Sequence, residues 1–381
     1  MNNMLKHFEF LFLTFSLLTF SLFIQLSICQ TTTLSGWPAV DTPPPNRSDF
    51  TALVDMSKVA NASTRSMNDI NANVCPATDT YCWWTCSGCV RNDSDVIFCP
   101  TARDWGLTFD DGPTPFTTTL LDFLDKVGIK ITFFVVGSRV VENPQILQRI
   151  VRSGHQVGIH TWSHQYLTSQ STEQVIAELQ WTAEIIKNVS GVTPKYMRPP
   201  FGDVDDRVRN ICTQLGYKVV IWDMDTNDWL SADNPSFQMS WVEGNFTQWV
   251  RQNSTTGHIS LEHDLYNQTA AQGPLVVPIL QNATFNIKPV ADCLGFPGIY
   301  YKENSTTTTT ATPTPTPTPT PQAVPTPDNV PDSSQNGANQ VATSQNNNPT
   351  TSLAVKNSYY FNYLWSFILA TVLLSCIYNL S

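Results

Sequence analysis

Four side chains near the middle of the sequence have the types and spacing of a metal site. Asp110 and Asp111 are adjacent and follow an apolar run, and His160 and His164 lie four residues apart further along. Residues i and i+4 share one face of a helical turn, so both imidazoles are predicted to reach one ion. The imidazole nitrogens would bind the ion at about 2.0–2.1 Å, with an aspartate oxygen as third ligand and an open position for water. The second aspartate would then remain available as a base.

Three further segments place charged side chains after short apolar runs. They are residues 198–203 (Arg-Pro-Pro-Phe-Gly-Asp), 225–229 (Asp-Thr-Asn-Asp-Trp) and 260–264 (Ser-Leu-Glu-His-Asp). With the aspartate and histidine motifs, in this order and spacing, they resemble the polysaccharide deacetylases, also called NodB-homology domains or family-four carbohydrate esterases. The resemblance covers residues 99–300 and is closest to fungal chitin deacetylases, on the run 105–113 and the Cys-rich stretch before it.

The resemblance implies a role for each residue at the reacting centre. Asp111, His160 and His164 would hold one divalent metal ion. Asp110 would be the general base that takes a proton from water, and His263 the acid that protonates the leaving nitrogen. The ligand types favour zinc, while cobalt or nickel could occupy the same site.

The resemblance also implies a set of supporting residues. Arg198 would hold the base in its charged form, and Asp228 would orient the acid histidine. The backbone N–H of Phe201 would stabilise the oxyanion, and Trp229 and Leu261 would line an apolar slot for the acetyl methyl. His155 and His258 match no motif, and we expect them to pack or hydrogen-bond near strand starts.

Strand-like runs alternate with helical patterns between about residues 105 and 300. Strands are predicted at 105–109, 130–136, 155–160, 196–198, 218–222 and 258–262, and helices at 117–127, 144–153, 172–188 and 204–215. This alternation predicts an α/β fold with a parallel sheet covered by helices, without separating a barrel from an open sheet. The resemblance implies a distorted (β/α) barrel with fewer than eight strands. Every motif follows a predicted strand, at the end where such barrels place their sites.

Composition divides the chain into five segments. Residues 1–29 are predicted to be a signal peptide, with a retained signal anchor as the alternative. The Thr/Pro-rich stretch reads as an extended stalk, and the terminal hydrophobic segment as a GPI-attachment signal or, alternatively, a membrane span. The remaining boundaries are an N-terminal extension at 30–98, Cys-rich at its end, a catalytic domain at 99–301, a stalk at 302–350 and the GPI signal at 351–381.

The cysteines and sequons fit the secretory route. Outside the predicted signal and tail an odd number of cysteines remains, so one thiol is expected to stay free. Residues 82–89 hold three cysteines that could form disulfides or a second metal site, and we favour disulfides in an oxidising compartment. The resemblance implies a Cys99–Cys293 disulfide. Glycosylation is predicted at Asn46, Asn61, Asn92, Asn188, Asn245, Asn253, Asn267, Asn282 and Asn304.

These observations support one leading hypothesis. The net charge of −10 argues against nucleic acid as a partner. We expect a secreted monomer, tethered by a GPI anchor at the cell wall and outer face of the plasma membrane, that deacetylates chitin or chitin oligomers. An esterase or deacetylase acting on another acetylated glycan is the alternative within the class. A catalytically silent chitin-binding wall protein is the alternative outside it.

Overall fold

The computed structural model describes residues 34–296. The predicted signal peptide, stalk and GPI signal, together with the sequon at Asn304, lie outside these residues. Across the described part of the chain, no helix combines the length and the apolar character needed to cross a membrane.

A parallel β-sheet of nine strands forms the centre of the fold. The strands are β1 (Asp95–Val96), β2 (Asp104–Asp110), β3 (Thr132–Val135), β4 (Gln156–Ile159), β5 (Tyr196–Met197), β6 (Lys218–Val220), β7 (Met224–Asp225), β8 (His258–His263) and β9 (Asn286–Lys288). Their order is β1-β6-β5-β4-β3-β2-β8-β7, and β9 pairs with β2. Within residues 34–296 no pairing joins β7 to β1, so the curled sheet is a barrel that stays open on one side.

Twelve α-helices lie around this sheet in the described residues. They are α1 (Ser48–Thr51), α2 (Met67–Asn71), α3 (Trp84–Ser87), α4 (Thr117–Val127), α5 (Gly137–Glu142), α6 (Pro144–Arg152), α7 (Thr172–Ser190), α8 (Asp206–Gln214), α9 (Ser240–Trp249), α10 (Asn267–Ala270), α11 (Gly273–Asn282) and α12 (Val290–Cys293). Helix α7 is capped at its start by Ser171, whose side chain accepts from the backbone N–H of Gln174, and at its end by Gly191, where φ is 74°. It packs against α1, α5, α6, α8 and strand β4.

The alternation of side chains along each strand separates two apolar cores. Leu107 and Phe109 of β2 belong to the large core between the sheet and the helices. Thr108 and Asp110 point to the other face, because successive side chains of a strand alternate. A second, smaller cluster that includes Phe134 and Ile259 fills the interior of the barrel. Polar side chains at the carboxyl ends of the strands therefore project into the mouth of the barrel.

Three disulfides stabilise the described chain. Cys99 and Cys293 are joined, which ties the segment before β2 to α12. Cys75–Cys86 and Cys82–Cys89 cross-link the end of the N-terminal extension. Cys82, Cys86 and Cys89, the three cysteines of residues 82–89, thus form disulfides and not a second metal site. Cys212 is a buried free thiol, as expected from the odd number.

The predicted fold class is confirmed, and two details of the prediction are wrong. The sheet has nine strands where the resemblance implied fewer than eight. Three strands that the sequence did not predict, β1, β7 and β9, are only two or three residues long. The composition of residues 30–74 predicts an irregular extension with one short helix, but the described part of this stretch contains two α-helices, α1 and α2. Its aromatic side chains pack against the large core, as Phe50 and Trp37 do.

The predicted glycosylation sites fall into two groups. Asn245 is half-buried on α9, and its side-chain Nδ2 donates to the carbonyl oxygen of Thr226 at 3.2 Å. The other predicted sites within the described residues are exposed; they are Asn46, Asn61, Asn92, Asn188, Asn253, Asn267 and Asn282. The exposed group is accessible to a glycan, whereas Asn245 already contributes a contact to the fold. Modification itself stays a prediction at every site.

Candidate active site

The register of the strands brings the sequence motifs together at one end of the barrel. Asp110, the last residue of β2, lies opposite Phe134 of β3 on one side and His263 of β8 on the other. His160 directly follows β4, and its backbone N–H donates to Val135 at 2.9 Å. Arg198 directly follows β5. Parallel strands share their carboxyl edge, so residues far apart in the sequence line one mouth.

Asp111, His160 and His164 form a cluster that fits a metal ion. Their candidate ligand atoms all lie within 4.8 Å of one another. Oδ1 of Asp111 is 3.4 Å from Nε2 of His160 and 3.1 Å from Nε2 of His164. Two ligands held tetrahedrally at about 2.1 Å from one ion are about 3.4 Å apart, so the cluster has the required spacing. Oδ1 of Asp111 is also buried without a hydrogen-bond donor, as expected of an oxygen that faces a cation.

The hydrogen bonding of His160 and the burial of His164 suit this role. Nδ1 of His160 donates to the carbonyl oxygen of Arg198 at 2.8 Å, and Nε2 of the same ring is on the side of Asp111. Burial lowers the pKa of His164, which favours the neutral ring that binds a metal. Burial opposes the charge of Asp111, but His164 and His160 hold the pKa of this carboxyl well below its usual range.

The two histidines lie on a loop and not on the helical turn that their spacing suggested. Residues 160–166 follow β4 without regular structure, and Thr161 and His164 have φ values of 65° and 55°. The backbone N–H of His164 donates to the hydroxyl of Thr161 at 3.1 Å, which tightens the loop. A compact loop with left-handed residues brings positions i and i+4 as close as a helix would.

Glu178 of α7 holds this loop from outside the barrel. Its carboxylate accepts from the backbone N–H groups of Trp162 and Ser163, both at 2.8 Å, and from the hydroxyl of Ser163 at 2.5 Å. Glu178 is fully buried. Sequence reasoning missed it, although a signal exists: a carboxylate stands at a position of α7 whose helical neighbours, such as Val175 and Leu179, are buried and apolar.

Arg198 and Asp110 form a buried ion pair. Nη1 of Arg198 donates to Oδ1 of Asp110 at 3.0 Å and to the hydroxyl of Thr108 at 2.5 Å. Burial lowers the pKa of Arg198, and the charge of Asp110 opposes that shift. The guanidinium also lies over the ring of Phe134, 4.4 Å from its centroid. Gly158 makes room for that ring, because a Cβ there would come within 2.5 Å of Phe134.

His263 and Asp228 form a second polar pair at the mouth. Nδ1 of His263 donates to Oδ1 of Asp228 at 2.6 Å, and the backbone N–H of His263 donates to Oδ2 at 2.9 Å. Burial disfavours the imidazolium, but the fully buried Asp228 raises the pKa of His263 to about 10. His263 is therefore protonated at neutral pH, as a proton donor must be.

The segment after Arg198 brings Phe201 next to the histidines. Phe201 lies in the short 3-10 helix Pro200–Gly202 with a φ of 59°. Its ring stacks on Tyr166, with 3.9 Å between ring centroids, and is 4.7 Å from the ring of His164. Asp203 anchors this segment by accepting from the indole N–H of Trp83 at 3.0 Å and from the backbone of Thr168 at 2.8 Å.

Leu261 and Trp229, which were predicted to line an apolar slot for the acetyl methyl, lie on neighbouring elements. Leu261 is buried on β8 and points to the same face as His263, two residues on. Trp229 is half-buried in the 3-10 helix Asp228–Ala232, which begins with the partner of His263. Both residues thus lie in the segments that carry His263 and Asp228.

Asp264 and Glu262 flank His263, and the structure gives them different surroundings. Asp264 is fully buried, its carboxylate accepts from the hydroxyl of Thr117, and burial raises its pKa to about 7. It links β8 to the loop that follows Asp111. Glu262 points to the outer face of the sheet, where burial raises its pKa well above the usual range.

Comparison with known proteins places this geometry in a family. Residues 99–220 match the polysaccharide deacetylase family. The chain is 43% identical over 282 residues to chitin deacetylase 1 of Cryptococcus neoformans var. grubii, and the match covers 69% of this chain and 59% of that protein. It is 35% identical over 270 residues to the chitin deacetylase of Amylomyces rouxii, covering 67% of this chain and 63% of that protein.

Two further relatives are covered over more of their length. Chitin deacetylase 2 of Saccharomyces cerevisiae is 36% identical over 271 residues, or 71% of this chain and 80% of the yeast protein. The solved structure of the chitin deacetylase from Colletotrichum lindemuthianum superposes with a TM-score of 0.51 at 27% identity, covering 56% of this chain and 98% of the other. By the matched motif residues and this coverage, the chain belongs to the polysaccharide deacetylase family.

Proposed function

We propose that this chain is a metal-dependent chitin deacetylase, which hydrolyses the N-acetyl groups of N-acetylglucosamine units to give chitosan and acetate. The observation that carries the proposal is the convergence of a two-histidine, one-aspartate cluster with a buried base and a protonated histidine at one barrel mouth. The relatives named chitin deacetylase support the choice of substrate.

The proposed cofactor is one divalent ion held by Asp111, His160 and His164. When bound there, it would polarise the acetyl carbonyl and make water more acidic. Zinc suits two imidazoles and a carboxylate, and cobalt could take its place.

Asp110 is the proposed general base. Its carboxylate is buried, and Nη1 of Arg198 lies 3.0 Å from its Oδ1. In this role the carboxylate would accept a proton from the attacking water. Oδ2 of Asp110 is 3.8 Å from Nε2 of His160, so the base stands next to the metal-binding cluster without belonging to it. The ion pair with Arg198 limits rotation of the carboxylate and keeps it aimed at this position.

His263 is the proposed acid for the leaving nitrogen. It carries its proton at neutral pH because Asp228 raises its pKa. Asp228 bonds Nδ1, so Nε2 of the same ring is the nitrogen that can donate to a substrate in the mouth. The backbone N–H of Phe201 is the proposed second donor to the oxyanion. Leu261 and Trp229 are the proposed apolar contacts of the acetyl methyl, which would exclude water from the reacting carbonyl.

The chain spans about three fifths of the length of the first two relatives, 59% and 63%. For this protein we propose the five segments that its own composition indicates: signal peptide 1–29, extension 30–98, catalytic domain 99–301, stalk 302–350 and GPI signal 351–381. The three disulfides support passage through an oxidising compartment. The enzyme would then act as a GPI-anchored monomer at the wall and the outer face of the plasma membrane.

The anchor has a direct test. Treatment of intact cells with a phosphatidylinositol-specific phospholipase C should release the protein into the medium, and a variant lacking residues 351–381 should be secreted without treatment. Retention of the treated chain in the membrane fraction would indicate a membrane span instead.

The activity is tested by acetate release from N-acetylglucosamine oligomers. The full chain should release acetate with added zinc, lose the activity after chelation and regain it when zinc returns. Asp110→Asn should bind zinc and lower the rate by about 10²–10⁴-fold, because it removes the base. If the protein binds zinc but releases acetate only from another acetylated glycan, that glycan and not chitin would be its substrate. No release from any of them would favour a silent binding protein.

A further inference from the structure

Residues 34–41, which we call the N-terminal strap, lie outside the predicted catalytic domain and yet contact the supports of all three metal-ligand positions. We propose that this strap is a positioning element of the metal site, so that metal affinity depends on it. The inference rests on the proposed metal site and goes beyond it, because no sequence motif for the reaction includes these residues.

The strap contacts the loop that carries the histidine ligands. The indole N–H of Trp162 donates to the carbonyl oxygen of Ala39 at 3.0 Å. The ring of Trp37 stacks on the ring of Trp162, with centroids 6.3 Å apart and an interplanar angle of 21°. Trp162 lies between His160 and His164 and is fully buried. The strap therefore fixes the largest side chain of the ligand loop.

The strap also contacts the first turn of α5, which supports the same loop. The backbone N–H of Asp41 donates to the hydroxyl of Ser138 at 3.3 Å. The backbone N–H of Ser138 in turn donates to Trp162 at 3.2 Å, and that of Gly137 donates to Thr161 at 2.9 Å. A shift of the strap would thus be transmitted to the ligand loop through a second set of hydrogen bonds.

Helix α5 connects this network to the third ligand. Nη1 of Arg139 donates to the carbonyl oxygen of Asp111 at 2.8 Å. The backbone N–H of Leu34 donates to Val141 at 3.2 Å, which fixes the start of the strap to the same helix. The strap, α5 and both ligand-bearing segments are therefore one contiguous network. Partners of metal ligands orient the ligands, and the affinity for the ion depends on that orientation.

Trp37 and Arg47 make a matched pair for a test. Both contact the ring of Trp181 on α7, with Trp37 6.0 Å from its centroid and Arg47 4.9 Å from it. Only Trp37 also contacts Trp162. Arg47 makes an ion pair with Glu184 instead, at 2.9 Å, well along α7 from the ligand loop. Replacing either residue disturbs the packing of the extension on α7, but only Trp37→Ala removes a direct contact with the ligand loop.

The experiment measures zinc affinity in the full chain by competition with a chromogenic chelator. Trp37→Ala should weaken zinc binding by about threefold to tenfold, less than the ~10–100-fold typical of a residue bonded directly to a ligand. Arg47→Ala should leave zinc affinity within about twofold, since it contacts no partner of the ligands. A variant with residues 34–41 deleted should show the largest loss. Thermal unfolding of the metal-free proteins reports whether each variant is folded.

The outcomes separate this inference from the proposed function. Equal zinc affinity in the wild type and Trp37→Ala would overturn the role of the strap while leaving the deacetylase intact. Equal losses in Trp37→Ala and Arg47→Ala would also overturn it, because the extension would then act only through general stability. A wild type that binds no zinc would instead overturn the metal site on which both proposals depend.

Discussion

His263 and His258 lie on the same strand, five residues apart, and each is paired with an aspartate in the same way. Nδ1 of each ring is 2.6 Å from a carboxylate oxygen, of Asp228 for His263 and of Asp223 for His258. In each pair the second carboxylate oxygen accepts a backbone N–H of β8. Side-chain chemistry alone does not distinguish the two pairs.

Their surroundings do. An offset of five residues is odd, so the two rings point to opposite faces of β8. His263 points into the barrel mouth beside Asp110, whereas His258 packs at the other end of the strand against Trp105, with 4.9 Å between ring centroids. Nε2 of His258 is buried without a hydrogen-bond partner among the described residues. An Asp–His pair becomes a candidate catalytic pair only where its free nitrogen can meet a substrate.

The largest expected effect separates the two histidines. His263→Ala should lower acetate release by about 10²–10⁴-fold, because it removes the proton donor. His258→Ala should keep the rate per bound metal and lower the free energy of unfolding by about 1–3 kcal/mol, through lost packing and one lost hydrogen bond. Initial rates, metal content and urea unfolding check both. A loss of rate in folded, metal-loaded His258→Ala would contradict the argument from strand faces.

Replacing Asp228 should lower the rate of acetate release more than replacing Asp223, and by less than the loss of His263 itself. Asp228→Asn removes the charge that keeps His263 protonated, and we expect a rate about 10²-fold lower at neutral pH. Because the pKa of His263 would fall, part of the lost rate should return as the pH is lowered. Asp223→Asn should leave the pH–rate profile of the wild type unchanged. Identical profiles for wild type and Asp228→Asn would show that this aspartate does not control the acid.

The pair of His263 and Asp228 should also affect the pH dependence of the free energy of unfolding of the metal-free protein. The pKa of His263 is raised from 6.5 to about 10, so the native state binds its proton more tightly than the unfolded state. This contribution is fully present below pH 6.5 and is lost as the pH rises to about 10. The difference in unfolding free energy between wild type and Asp228→Asn should therefore shrink over this range. A difference independent of pH would contradict the assignment.

The smallest effect is expected at the amino end of β8. Trp105→Phe removes the indole N–H that donates to the hydroxyl of Ser260 at 2.8 Å and loosens the packing on His258. The free energy of unfolding should fall by about 1–2 kcal/mol, from one hydrogen bond and a small cavity. Acetate release per bound metal should not change. A lower rate at unchanged stability would mean that the two ends of the strand are coupled.

Much of the barrel could be predicted from local sequence patterns. Strands β2, β3, β4 and β8 were recognised because their apolar runs are long enough to show strand periodicity, and α4 was predicted with its observed bounds. The chemical motifs were expected at carboxyl strand ends, where the structure has Asp110, His160, Arg198 and His263. Strands β1, β7 and β9, which are two or three residues long, were missed. Strands β5 and β6 are equally short but lie within the predicted strands 196–198 and 218–222.

The candidate site was only partly predictable. The motifs supplied the ligand set, the base and the acid, through a family resemblance, and those roles remain proposals. Glu178 was missed because it acts on backbone N–H groups, which no side-chain motif records. The loop carrying His160 and His164 was mistaken for a helical turn, since the i, i+4 spacing is compatible with both. The composition of residues 30–74 predicts an irregular extension, and the strap within it was missed because its contacts are with residues 97 or more positions away.

The sequence by itself determined the fold class, the chemistry available at the strand ends and the oxidising compartment expected for the cysteines. These properties depend on residue types and on periodicity over a few neighbours. The tertiary structure decided which of two equivalent Asp–His pairs faces the mouth, how the cysteines pair and which distant residues hold the ligand loop. These depend on strand register and on packing between remote segments, and both are set by the free energy of the whole folded chain.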